Sequence, residues 1–224
     1  GNSIEQFSVI IGLMLFAMGL AGLAQRYIVD PRKIADIFVL VETGLAFIGG
    51  ASALLLYLAF AYLDHFRFVL YLLATIIGFG IGLEIPLLLR INQGWRTELR
   101  ENVGEILSLD YLGALLGALL WAFVLLPTMA LDQISLLLGL ANLGAAVVTL
   151  VIFWRWIQNR VLVIGAIIGA LATLGGLAAA GPGLVDDARQ NLFAYPIRHH
   201  AHSPYQDIVF TGSGPRLSMY LNGH

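Results

Sequence analysis

The chain contains no cysteine, which excludes disulfides, thiol catalysis and cysteine-based metal sites. It is also poor in charge. Only 12% of its residues are Asp, Glu, Lys or Arg, and the formal net charge is -2. So weak a balance leaves no basic footprint for nucleic acid. The N-terminus lacks a basic run and is not a secretory signal peptide. It enters its first apolar segment almost at once and reads as starting abruptly, as though cut there. No nucleophile elbow, P-loop or HExxH pattern occurs. Gly78 and Gly80 do not make a phosphate loop, because they sit inside an apolar run rather than after a strand.

What the chain has in quantity is apolar length. It is 59% hydrophobic with a mean hydropathy of +0.85. Six segments are long enough to cross a bilayer as helices, at about 7–25, 34–62, 66–89, 106–126, 134–153 and 161–180. The fold class predicted is therefore an all-α polytopic membrane bundle of about six spans, followed by a short C-terminal β-hairpin. Residues 1–181 form the multi-pass domain in this reading, 182–202 a linker, and 203–224 the truncated hairpin. The lipid bilayer is the first partner implied.

Basic residues are unevenly placed. Arg26, Arg32 and Lys33 follow the first span, Arg90, Arg96 and Arg100 the third, and Arg155 and Arg160 the fifth. The positive-inside rule puts these loops in the cytoplasm of a bacterial inner membrane, with both chain ends outside. Three small-xxx-small patterns, Gly78–Gly82, Gly113–Gly117 and Gly165–Gly169, suit close helix approach. They could also support a homo-oligomer.

Glu42, Glu84 and Asp110 lie within apolar segments, where a charge costs about 2.5–3.5 kcal/mol on insertion scales. They form a candidate intramembrane polar site for a cation, a polyamine or a proton relay. A plainer reading stands beside it for each. Glu84 pairs with Arg90 or snorkels, Asp110 favours a helix start, and Glu42 is interfacial if its span begins near Leu40. Pro86, two residues beyond Glu84, frees the carbonyl of Gly82 and leaves a local polar spot. His199, His200 and His202 are neighbours on one extended segment. Such histidines do not converge on a metal, so they read as polar linker, and no metal site is expected.

After the last span the period changes. Residues 205–210 and 216–222 are β-type runs on either side of Thr211-Gly212-Ser213-Gly214-Pro215, a turn composition. A lone hairpin is marginal in water, so this one reads as the opening of a soluble domain.

The run Ser203-Pro204-Tyr205-Gln206-Asp207-Ile208, followed by Arg216-Leu217-Ser218-Met219-Tyr220-Leu221-Asn222-Gly223, resembles the start of the spermidine synthase family of polyamine aminopropyltransferases. Gly82-Leu83-Glu84-Ile85-Pro86 and Asp110-Tyr111-Leu112-Gly113 are similar to the multi-pass segment fused ahead of that enzyme in some bacterial proteins. The resemblance implies aminopropyl transfer from decarboxylated S-adenosylmethionine to putrescine by the full-length protein. It assigns Gln206 to the donor nucleoside. It places the catalytic acids and nucleotide loop beyond His224, so no catalytic residue is expected in this chain. Two further readings remain open: a transporter or channel domain for a polyamine or other small cation, and a passive anchor that oligomerises through its glycine faces. The outward C-terminus conflicts with a cytosolic donor.

Overall fold

The computed structural model describes residues 3–93, 99–202, 207–213 and 216–221. The helices are α1 (Ser3–Ala24), α2 (Ile34–Tyr62), α3 (Phe66–Asn92), α4 (Leu99–Leu120), α5 (Leu131–Ile152) and α6 (Arg160–Asn191). All six carry stretches long and apolar enough to cross a membrane. They are apolar on nearly every face, as helices are when lipid rather than water surrounds them. After α4 the chain passes through one π turn, Trp121–Leu125, into a last helical turn, Leu126–Thr128. Pro127 accounts for this local shape. It has no N–H and crowds the carbonyl four residues back, and a widened turn relieves both problems.

Helix α2 is the centre of the bundle and packs against α3, α5 and α6, while α1 packs on α3. One face of α2 shares a core of Val39, Ala46, Leu143, Ala146, Val163 and Leu174 with α5 and α6. Another shares Phe38, Leu83, Leu87 and Ile91 with α3, together with Ala21 of α1. Among the described residues α4 touches α3 more than any other of these helices, and Leu109 to Val124 are all exposed.

Two glycine crossings allow these contacts. A Cβ on Gly139 would stand 2.6 Å from the Gly50 Cα and 2.7 Å from the Ala46 carbonyl oxygen. A Cβ on Gly82 would stand 2.5 Å from the Met18 Cα, and one on Gly78 2.8 Å from the Met14 carbonyl oxygen. Of the three small-xxx-small patterns, only Gly78–Gly82 therefore lies at a helix crossing. Gly113, Gly117, Gly165 and Gly169 face open space.

One polar contact pins the helices together. The buried Asp36 carboxylate accepts the backbone N–H of Gln158 at 2.9 Å and of Asn159 at 2.8 Å. Asn159 in turn caps α6, its Oδ1 accepting from Leu162 N at 3.2 Å. The loop between α5 and α6 is thus fastened to the first turn of α2.

The C-terminal part differs from the sequence reading in two ways. First, α6 does not stop near residue 180 but continues through Pro182 to Asn191. Its last turns have somewhere to pack. Val185 and Ala188 are buried, Asn191 Nδ2 donates to Ala61 O at 2.9 Å, and Arg189 lies over the Tyr57 ring. Second, the hairpin of β2 (Asp207–Ser213) and β3 (Arg216–Leu221) gains a third strand, β1 (Ile197–His202). The sheet is antiparallel in the order β1-β2-β3, with a bulge between Ile197 and His199. The histidine run had no apolar alternation to reveal a strand. Pairing with β2 supplies the order that its composition lacks.

Three substitutions test these contacts. Gly139→Ala is expected to lower stability by about 1–3 kcal/mol through overpacking, while Gly144→Ala, which meets open space, stays within about 0.5 kcal/mol of the parent. Asp36→Ala is expected to cost about 1.5–3 kcal/mol, because it strands two backbone donors. Thermal melting in detergent measures all three, and equal melting of Gly139→Ala and Gly144→Ala would contradict the crossing.

Candidate functional site

The acidic residues that the sequence marks come from three helices. Glu42 is on α2, Glu84 on α3 and Asp110 on α4. The structure places Glu84 within electrostatic reach of both Glu42 and Asp110. Since α2 begins at Ile34, Glu42 lies more than two turns inside its helix, and only 8% of the residue is exposed. The helix thus starts well before Glu42, and the residue is packed inside the bundle. Among the described residues no hydrogen bond reaches its carboxylate. The neighbouring polar contact, from Asn142 Nδ2 at 3.3 Å, goes to the Glu42 backbone carbonyl.

Glu84 is half-buried. Its expected partner Arg90 is engaged elsewhere, donating to Gln25 O at 3.2 Å and Ile28 O at 2.7 Å. The two residues are six apart on one helix and so look out from different faces. Arg90 ties the end of α3 to the α1–α2 connection instead. Asp110 is exposed and sits three turns into α4, because that helix starts at Leu99. The helix-start position belongs to Glu101.

Chemically, three carboxylates in one low-charge environment favour whatever brings positive charge to them: a proton, a metal cation or an ammonium group. Among the described residues no group of three His, Asp or Glu side chains is disposed to hold a metal ion. Gln206 lies outside the described residues, so the nucleoside contact assigned to it has no geometry here. Of the histidines, His199 rests against the Phe210 ring at 6.2 Å.

Sequence reading passed over Asp36. It stands close to the predicted start of a span, where an acid is ordinary, and the loop that it binds lies 122 residues away in the chain. No local pattern announces such a contact.

No family model matches the chain, and no solved structure matches it. Curated relatives do. The chain is 38% identical over 233 aligned positions to polyamine aminopropyltransferase 1 of Streptomyces coelicolor, with all of this chain and 43% of the relative covered. It is 39% identical over 231 positions to polyamine aminopropyltransferase 2 of Ralstonia nicotianae, covering 45% of that protein. A polyamine aminopropyltransferase of Leptospira interrogans is 31% identical over 229 positions, with 44% covered. The chain thus spans less than half the length of these relatives.

If Glu42 were kept for stability, removing its charge would harm the fold. A carboxylate in a buried residue, with no hydrogen bond to it among the described residues, carries instead a desolvation cost of about 1–3 kcal/mol. Glu42→Gln is accordingly expected to melt at or above the parent temperature, and a clear fall would assign it a structural role. As for kinship, the similarity runs along the whole of this chain and less than half of each of these polyamine aminopropyltransferases.

Proposed function

We propose that this chain is the membrane-spanning portion of a polyamine aminopropyltransferase. The observation that carries the reading is similarity over the whole chain to proteins of that name, at 31–39% identity. In the full-length protein an amine nitrogen of putrescine attacks the aminopropyl carbon of decarboxylated S-adenosylmethionine. A C–N bond forms, the C–S bond breaks, methylthioadenosine leaves and the amine releases a proton. Gln206 contacts the donor nucleoside. The six helices lie in a bacterial inner membrane, and the arginine-bearing end faces the cytoplasm.

The acidic cluster favours a second role for the helices, the passage or binding of a polyamine or other small cation. Glu42 supports it best, since the residue is buried in the bundle and no hydrogen bond among the described residues reaches its carboxylate. The open faces at Gly113, Gly117, Gly165 and Gly169 leave room for a third role, association with a second copy of the helices.

Membranes carrying the full-length gene product, given labelled decarboxylated donor and putrescine, are expected to yield labelled spermidine. A membrane-located protein that produced none would overturn the transferase reading. For transport, proteoliposomes should take up labelled putrescine, and Glu84→Gln should slow uptake about tenfold or more, the effect of about 1.4 kcal/mol. Uptake at the parent rate by Glu84→Gln would remove Glu84 from that role.

A further inference from the structure

The arginines of the loops do not merely share one side of the bundle. Arg32, Arg90 and Arg155 line a single cavity of about 450 Å³ together with Ile91, Trp156 and Gln158. The start of α2, the end of α3 and the α5–α6 loop each contribute a wall. Among the described residues no acid lines it. Nor, among them, does the Arg32 or the Arg155 guanidinium have a hydrogen bond or an ion pair.

The walls are held in place by contacts that do not use these two guanidinium groups. Asp30 Oδ1 accepts from Arg32 N at 3.0 Å and shapes the turn Pro31–Lys33. Asp36 fastens Gln158 and Asn159 to α2. Arg90 commits its donors to the Gln25 and Ile28 carbonyls. The result is a concavity with two guanidinium groups that have no partner among the described residues, an indole and an aliphatic flank from Ile91. Arginine forks match phosphate oxygens. An indole and an alkyl wall match the glycerol and acyl region beside a headgroup.

We propose that this cavity binds the phosphate headgroup of an anionic phospholipid, with Arg32 and Arg155 as the phosphate ligands and Trp156 against the acyl boundary. Position selects a lipid over a soluble phosphate. The cavity opens at the ends of apolar helices, at the level where headgroups lie, and a cavity of this size takes a headgroup rather than a whole lipid. The inference rests on the reading of the helices as membrane spans.

The test uses purified chain in a neutral detergent. Phosphatidylglycerol, cardiolipin and phosphatidylethanolamine with matched acyl chains are added in turn, and bound lipid is read by native mass spectrometry beside the melting temperature. The two anionic lipids are expected to stay bound and raise the melting temperature, at least tenfold more tightly than phosphatidylethanolamine. The double variant Arg32→Gln/Arg155→Gln should lose about tenfold or more in that affinity and melt like the parent without lipid. Arg155→Gln alone should lose part of it, and serves if the double variant does not fold. Equal binding of all three lipids, or undiminished binding by the variants, overturns the proposal. So does displacement by millimolar inorganic phosphate, which would make the site one for a soluble anion. Fractionation of the same cells separates the two claims. A chain recovered in membranes that ignores anionic lipid defeats only this proposal, while one recovered in the soluble fraction defeats both.

Discussion

The bundle depends on a carboxylate that binds backbone rather than, among the described residues, an arginine. Asp36 sits at the first turn of α2, almost wholly buried, and takes two backbone N–H groups from the loop between α5 and α6. Backbone donors in a loop must find partners, and at the end of an apolar bundle few are on offer. By answering two of them, Asp36 fixes where α6 begins, and the Asn159 cap then starts the helix. The same fastening sets the loop that presents Arg155 and Trp156. An acid thus builds the most basic end of the molecule.

From that pin the remaining order spreads along α2. Its two core faces differ in how they are made. Toward α5 the backbones meet at Gly50 and Gly139, with Ala46 beside them. Toward α3 the contact is made by larger side chains, Phe38, Leu83 and Leu87. The close approach on that side is displaced outward, to the crossing of α3 with α1 at Gly78 and Gly82. For helices as apolar on their outer faces as on their inner ones, close packing distinguishes one arrangement from another. Among the described residues helix α4 has no such crossing, and its glycines meet nothing.

Much of this was legible from hydropathy. The predicted second span, 34–62, coincides with α2, because charged and turn residues bound it on both sides. The convergence of Glu42, Glu84 and Asp110 was readable only as an economy argument, that acids in apolar runs face one another or a cavity. Their depths were not readable. Asp110 moved from a helix start to mid-helix because α4 extends upstream through a mixed-charge stretch that looks like loop. The Glu84–Arg90 pair failed on helical phase, and Arg90 found carbonyls of a distant connection instead. The C-terminal strand β1 and the long end of α6 were hidden for a related reason. Each is ordered by a partner outside its own segment, β2 for one and the end of α2 for the other.

The length of α6 has a mechanical meaning. At 1.5 Å per residue its 32 residues extend about 48 Å, against a hydrocarbon layer of about 30 Å. Over that length the chain is one continuous helix rather than a flexible tether. Phe193 meets Tyr220 of the sheet edge to face just beyond it, and Gln190 Oε1 accepts from the Ile197 backbone N–H. The sheet therefore inherits the rotational phase of a helix that begins at the opposite, arginine-bearing end.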